Sequence, residues 1–299
     1  MHIKWILMSA LLLTGCADIR GRVSPDLLAV QDGASPMLAM HISGGEEIIT
    51  AESSPMNFPD AMSAAAGAEV SAGHISVLLL HANPSAVLPG YLENGWLAPT
   101  AQVVYSDTNT VSLLAHDPPS AEDIKAAVQT GLIPPRTADS VLADLLGGSG
   151  VTALNMYTKD GFRLALWDAE ECCGTLSENA CRGLALLAGK YRTFTLSDQD
   201  VCFSVEHAAP DIRAVCSGGT LKINVSGNFR CILRSGNADA VVPMLHAVIT
   251  AALTETVLQS GADLLLLQER AGAGDISHAA WREMLRSAET AVSLRTEIS

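Results

Sequence analysis

Residues 5–13 form a nine-residue, mostly apolar run, preceded by His2 and Lys4 and closed by Leu13-Thr14-Gly15-Cys16. At ~1.5 Å of rise per residue, a helix of that length covers under half of a ~30 Å hydrocarbon core and does not span it. A cationic start, a short apolar middle and a small-residue exit are the layout of an export signal. Leu13-Thr14-Gly15-Cys16 also fits the bacterial lipobox, with cleavage between Gly15 and Cys16 and acylation of the cysteine. Small side chains let the peptidase reach the backbone, and only a thiol forms the thioether to diacylglycerol. The alternative, the start of a core helix, sits poorly with a place at the extreme N-terminus. The expectation is a signal peptide over residues 1–15 and a lipid tether at Cys16. Two acyl chains, at ~0.8 kcal/mol per buried CH₂, give stable anchoring without a membrane helix. The apolar runs at 75–80, 184–188 and 264–267 are too short to span.

The body of the chain is acidic, with a net charge of −14 over 299 residues. That balance argues against nucleic acid, whose recognition needs a basic face. It also argues against binding anionic headgroups through the body, and its plainest role is solubility. Aromatic residues make up 4%, too few to favour sugar stacking or single-strand binding. The length suits about two domains with sizeable cores. Besides Cys16 there are six cysteines, Cys172, Cys173, Cys181, Cys202, Cys216 and Cys231. An even count in an exported chain permits disulfides of undetermined connectivity, and buried free thiols are the plainer explanation. No CxxC or His/Cys spacing points to a metal.

Periodicity and capping signals place alternating elements along the chain. Residues 38–42 read as a strand, with 47–51 its hairpin partner across Gly44-Gly45. Asn57 and Pro59 open a helix through Ala66, residues 74–81 form a buried strand, and 85–94 a helix closing at Gly95. Another strand covers 101–105. Ser120 followed by Glu122 and Asp123 caps a helix ending at Thr130-Gly131, and 137–146 is the next helix. Pro134-Pro135 and then Gly147-Gly148-Ser149-Gly150 suggest a domain boundary at 149/150. Beyond it, 151–157 and 162–167 alternate around Lys159-Asp160-Gly161, a hairpin signal. A helix from Ser177 through Ala188 follows, then two alternating strands around Val201 to Val205 and Leu221 to Val225, with a Gly218-Gly219 turn. A long helix over 241–260, a shorter one holding Trp281 and an alternating end at 291–298 complete the chain. The expected fold is α+β, with two to three mixed α/β domains carrying antiparallel or mixed sheets. The domains are 16–149 and 150–299, the second of which a division near residue 236 would split.

Catalytic constellations are largely missing: there is no GxSxG, Walker-type loop, HExxH, or GxGxxG between a strand and a helix. His74 and His81 flank a buried strand and are read as structural, and Asp198 and Asp200 as turn charges. A cofactor-independent racemase would need two opposed thiols at helix N-termini with depressed pKa. Only Cys181 falls near a helix start, without a glycine before it. No catalytic residue, cofactor or metal ligand is assigned, and an anchored chain without such chemistry favours binding or assembly over enzymatic work.

Several stretches, in order, resemble one family. They are His74-Ile-Ser-Val-Leu-Leu-Leu; Asp160-Gly-Phe-Arg-Leu-Ala-Leu-Trp-Asp followed by Gly183-Leu-Ala-Leu-Leu-Ala-Gly-Lys; Lys222-Ile-Asn-Val-Ser-Gly-Asn-Phe; and Gly261-Ala-Asp-Leu with the Trp281 helix and a closing strand. Together with the lipobox, and with Asp18 and Arg20 after it, they resemble the Ger(x)C spore-germination lipoproteins, the C subunits of germinant receptors. The chain departs from the family pattern at Ala17, where tryptophan is usual, and at Ala180, where glutamate is frequent. It is also shorter than is usual, and its cysteines are extra.

The resemblance implies a fold of three α/β-type domains and no enzymatic activity. It implies anchoring on the outer face of the inner spore membrane and assembly with two integral-membrane partners, the A and B subunits. Small-molecule germinants such as amino acids, sugars or nucleosides trigger that complex, and no germinant-binding residue carries over to a position here. Gly183 and Gly189-Lys190 match the family motif, with close packing and helix exit as their physical roles. The alternative function is an exported solute-binding lipoprotein of a transport system, which would require a cleft between lobes. A third, an exported thiol enzyme, would require two cysteines facing one pocket.

Overall fold

The computed structural model describes residues 22–42, 48–109, 120–158 and 161–299. The chain up to Leu176 supplies ten strands, β1 (Arg22–Val23), β2 (Pro25–Gln31), β3 (Met37–Ile42), β4 (Ile48–Glu52), β5 (Glu69–Val70), β6 (Val77–His81), β7 (Gln102–Ser106), β8 (Thr152–Thr158), β9 (Gly161–Trp167) and β10 (Cys172–Leu176). Among the described residues β1 and β5 form a separate two-stranded parallel sheet, and the other eight form a mixed sheet in the order β10-β9-β8-β7-β6-β2-β3-β4. β2, β6, β7 and β8 are mutually parallel, and both flanks are antiparallel. The helices between them are α1 (Phe58–Ala66), α2 (Pro84–Glu93), α3 (Ala121–Gln129) and α4 (Ala138–Leu146).

Both faces of this sheet are covered. Leu28, Val30, Leu78, Leu80 and Val103 pack against α1, α2 and α4 through Met62, Leu88, Tyr91 and Val141. On the other face Leu27, Ala29, Val77, Leu79 and Val104 meet Ile124 of α3. That double burial explains why β2 and β6 read as unbroken apolar runs. β2 is a central strand for which periodicity gives no sign, since neither of its faces is polar. The capping signal at Ser120 holds: the Asp123 N–H donates to Ser120 Oγ at 3.0 Å, and the Ser120 N–H donates back to the Asp123 carboxylate at 3.1 Å.

The boundary expected at 149/150 does not separate two cores. β8, β9 and β10 follow it in sequence and extend the first sheet. Within β8 and β9 the faces divide: Leu154, Ala165 and Trp167 join the first core, while Ala153, Leu164 and Leu166 join the second. The glycines at 147–150 make a tight turn, and turn chemistry alone does not distinguish a turn within a sheet from a linker.

The second lobe contains α5 (Glu178–Ala188), β11 (Phe194–Ser197), β12 (Val201–Ser217), β13 (Thr220–Gly236), α6 (Val241–Ala252), α7 (Leu267–Arg270), α8 (His278–Arg286) and β14 (Glu289–Ile298). Its sheet runs β11-β12-β13-β14, with β14 parallel to β13. Gly218 and Gly219, at φ 61° and 82°, form the two-residue turn between the two long strands, a conformation that needs positive φ at both central positions. The division considered near residue 236 also fails, because α6 and β14 complete the same core as β12 and β13. A core built on one sheet needs its covering helix wherever that helix falls in the chain.

The helix expected over 241–260 is α-helical to Ala252 and then widens into a π-turn at Leu253–Gln259. Residues 238–259 are long and apolar enough to cross a bilayer by length and composition. Their apolar face is spent inside the lobe, where Leu245, Val248, Ile249, Leu253 and Val257 are buried in the second core. α5 crosses α6 at Gly183, where an added Cβ would overlap the Val248 carbonyl oxygen and come within 2.8 Å of the Ala252 Cβ. Gly183→Ala is therefore expected to force the helices apart at a cost of about 1–3 kcal/mol. Urea unfolding measures it, and a loss below about 0.5 kcal/mol, within the range of ordinary surface changes, would contradict that contact.

Candidate functional site

Gly15 and Cys16, the cleavage and lipidation residues, lie outside the described residues, as do Lys159-Asp160 and the Gly44-Gly45 turn. Of the described motif residues, Asp263, with Trp281 bonded to it, and Lys190 lie at the joint between the lobes, whereas Gly183 packs within the second lobe and Lys222 pairs with Glu289. Asp263 is 5% exposed. Its carboxylate accepts from the Leu267 N–H at 2.6 Å, the Gln268 N–H at 2.8 Å and the indole Nε1–H of Trp281 at 2.9 Å. The Gly261-Ala-Asp-Leu stretch and the Trp281 helix are thus halves of one buried polar cluster. Ser149 Oγ accepts from the Asp263 N–H at 2.9 Å, and Arg282 Nε donates to the Ser149 carbonyl at 2.6 Å. The glycine-rich turn is consequently clamped by the C-terminal helix.

A second buried polar group, within the first lobe, ties α4 to β8 beside the joint. Arg136, 8% exposed, donates to the Ala153 carbonyl through Nε at 2.7 Å and to Thr152 Oγ1 through Nη2 at 2.7 Å, and it pairs with Asp144. Thr152 Oγ1 donates to Asp144 at 3.0 Å. The sequence offers no sign of this pair, since the contact depends on α4 folding back along β8.

Between these two clusters lies a half-open cavity of about 370 Å³. Pro134, Arg136 and Asp144 line it from the first lobe, and Leu184, Ile212 and Leu265 from the second. Lys190 and Arg270 also line it; Lys190 follows the left-handed Gly189 (φ 64°) that ends α5. The motif stretch at 183–190 thus gives a close helix contact, a helix exit and a cation at the cavity.

The remaining candidates are structural. His81 Nδ1 lies 2.8 Å from the Ser106 carbonyl, and its ring stacks on Tyr105 at 6.5 Å. His74 sits in a short 3-10 turn, and Asp198 Oδ1 accepts from the N–H groups of Asp200 and Val201 at 2.8 and 3.0 Å. The six described cysteines are free thiols, and none lines the junction cavity. Burial pushes the Cys181 thiol up to about 12 and the Cys231 thiol up to about 11. A higher pKa means less thiolate at a given pH, and the thiolate is the reacting form. At pH 8, iodoacetamide is expected to label the exposed Cys172 and Cys173 first and leave Cys181 and Cys231 unlabelled until the protein unfolds. Peptide mass spectrometry over time reads this directly, and early labelling of Cys181 would contradict the packing of α5.

No family model matches the chain, and no curated protein matches it in sequence. A solved structure does match in fold: the crystal structure of the GerBC protein aligns over 91% of this chain and 96% of its own, with a TM-score of 0.56 and 13% identity. At that identity the shared property is the fold, and the protein has the mixed α+β fold of GerBC.

Proposed function

We propose that this protein is a lipid-anchored C subunit of a spore germinant receptor. Cys16 tethers it to the outer face of the inner spore membrane, where it assembles with two integral-membrane subunits. The observation that carries this reading is the correspondence of fold with GerBC over nearly the full length of both chains. The lipobox at Leu13-Thr14-Gly15-Cys16 and the ordered motifs support it from the sequence. The physical role of those motifs agrees with a subunit whose work is assembly rather than catalysis. Gly183 and Trp281 fix packing inside the second lobe, and Asp263 and Arg282 tie that lobe to the turn at Ser149. The transport alternative needs lobes that close on a solute about a hinge. β8 and β9 feed both cores at once, which weighs against such a joint.

Deletion of the gene in a sporulating host without paralogues is expected to abolish nutrient-triggered germination and leave vegetative growth unchanged. Complementation with the wild-type gene restores germination. The Cys16→Ser allele is expected to lose lipid labelling and membrane fractionation. Normal germination in the deletion strain would overturn the receptor reading, and unchanged lipid labelling of Cys16→Ser would overturn the anchor.

A further inference from the structure

We propose that the cavity at the lobe junction binds a small amphipathic carboxylate. Its volume of about 370 Å³ falls within the range of small-molecule sites, roughly 300–1,000 Å³. Leu184, Leu187, Ile212, Leu264 and Leu265 give it an aliphatic wall. Its charges do not balance, with three cations, Arg136, Lys190 and Arg270, against the single carboxylate of Asp144. Asp144 is taken by Arg136. Among the described residues the Arg270 side chain donates to carbonyl oxygens, those of Leu265 at 2.9 Å and Ile212 at 3.1 Å. Lys190 forms no ion pair among the described residues, and neither does Arg270. In a chain of net charge −14, a cavity with two uncompensated cations is a local reversal of sign. Concave sites of one sign concentrate ligands of the other.

The lip of the cavity is held in a conformation that leucine disfavours. Leu266 has φ 56°, the one positive φ outside glycine among the described residues, and its side chain is 53% exposed. It lines both this cavity and a neighbouring hollow of about 300 Å³ that shares Asp144. The Asp263 carboxylate holds the turn through the Leu267 and Gln268 N–H groups, and the Arg270 N–H closes it on the Leu266 carbonyl at 3.0 Å. The buried carboxylate thus fixes the strained backbone of Leu266 beside the cavity. The ligand's carboxylate pairs with Lys190 and Arg270, and its aliphatic body lies on the leucines. Because Asp144 is already paired with Arg136, the remaining charges of the lining are cationic and repel an ammonium, so a simple carboxylate is preferred over a zwitterion.

The probe is hexanoate, with hexanol and leucine as comparators, followed by thermal unfolding and by methyl NMR of the full-length protein. Hexanoate is expected to raise Tm in a saturable way and to shift the methyls of Leu184, Leu187, Leu264 and Leu265. Hexanol and leucine should bind at least about tenfold more weakly. Lys190→Glu alters an exposed side chain without an ion pair, so its ligand-free Tm should match the wild type while hexanoate affinity falls about tenfold or more. Lys190→Arg should retain affinity. The proposal is overturned by equal binding of hexanol or leucine, by an unchanged affinity in Lys190→Glu, by methyl shifts elsewhere, or by no saturable effect. The germination phenotype is read separately, so failure here leaves the receptor reading standing.

Discussion

Asp263→Ala is expected to destabilise the protein by about 3–5 kcal/mol. The substitution removes the acceptor for three donors at once, the buried Leu267 N–H and Trp281 indole and the half-buried Gln268 N–H. A buried donor left without a partner costs roughly 1–3 kcal/mol. Part of the loss is returned, because the turn is then free to relax Leu266 from its left-handed backbone, which costs roughly 1–2 kcal/mol for an L-residue. Gln268 is only half-buried, so water reaches its N–H and softens the total further. In urea the midpoint should fall by roughly 1–2 M at an unchanged slope. Asp263→Asn keeps one acceptor and should fall between wild type and alanine. Trp281→Phe orphans no acceptor of its own and should cost less than Asp263→Ala, even though it empties part of a fully buried site. A loss below about 1 kcal/mol for Asp263→Ala would mean that this carboxylate does not organise the C-terminal motifs.

Local rules carried most of the secondary structure. Ser120 and Asp123 mark a helix start because the capping geometry is short-range, and Gly218-Gly219 marks a hairpin because positive φ is a property of the residue. The alternation of Val201, Phe203 and Val205 is legible because one face of that sheet is buried and the other solvated. What local rules miss is anything decided by a partner distant in sequence. β2 has no polar face because α1, α2 and α3 cover it on both sides. The turn at 147–150 has linker composition, yet Arg282 and Asp263, over a hundred residues later, make it a fixed joint. The candidate site divides in the same way. Gly183, Lys190, Asp263 and Trp281 were found as motif letters, but the pairing of Asp263 with Trp281, the place of Lys190 at the junction cavity and the packing of Gly183 on α6 required the fold. Leu266 carries no sequence signal, because its backbone conformation is imposed by neighbours rather than chosen by leucine.

The junction's other polar cluster allows a test in which a double substitution should outperform a single one. Arg136→Met is expected to cost about 3–5 kcal/mol, the range for leaving one partner of a buried pair uncompensated. Asp144 would then retain only the Thr152 hydroxyl in a site where its side chain is 9% exposed. Asp144→Leu leaves the Arg136 guanidinium with the Ala153 carbonyl and Thr152 but no countercharge, and should cost a similar amount. The double variant Arg136→Met with Asp144→Leu removes both charges and puts apolar volume in their place. It should recover most of the loss, because a buried ion pair is often no more stable than a hydrophobic replacement of similar size. The coupling measured by the double-mutant cycle is then strongly favourable, well above the roughly 0.2–1 kcal/mol of an exposed pair. Simple addition of the two single losses would mean that each side chain holds α4 against β8 by itself. In that case the pairing, and with it the neutralisation of Asp144 on which the charge imbalance of the cavity depends, would be wrong.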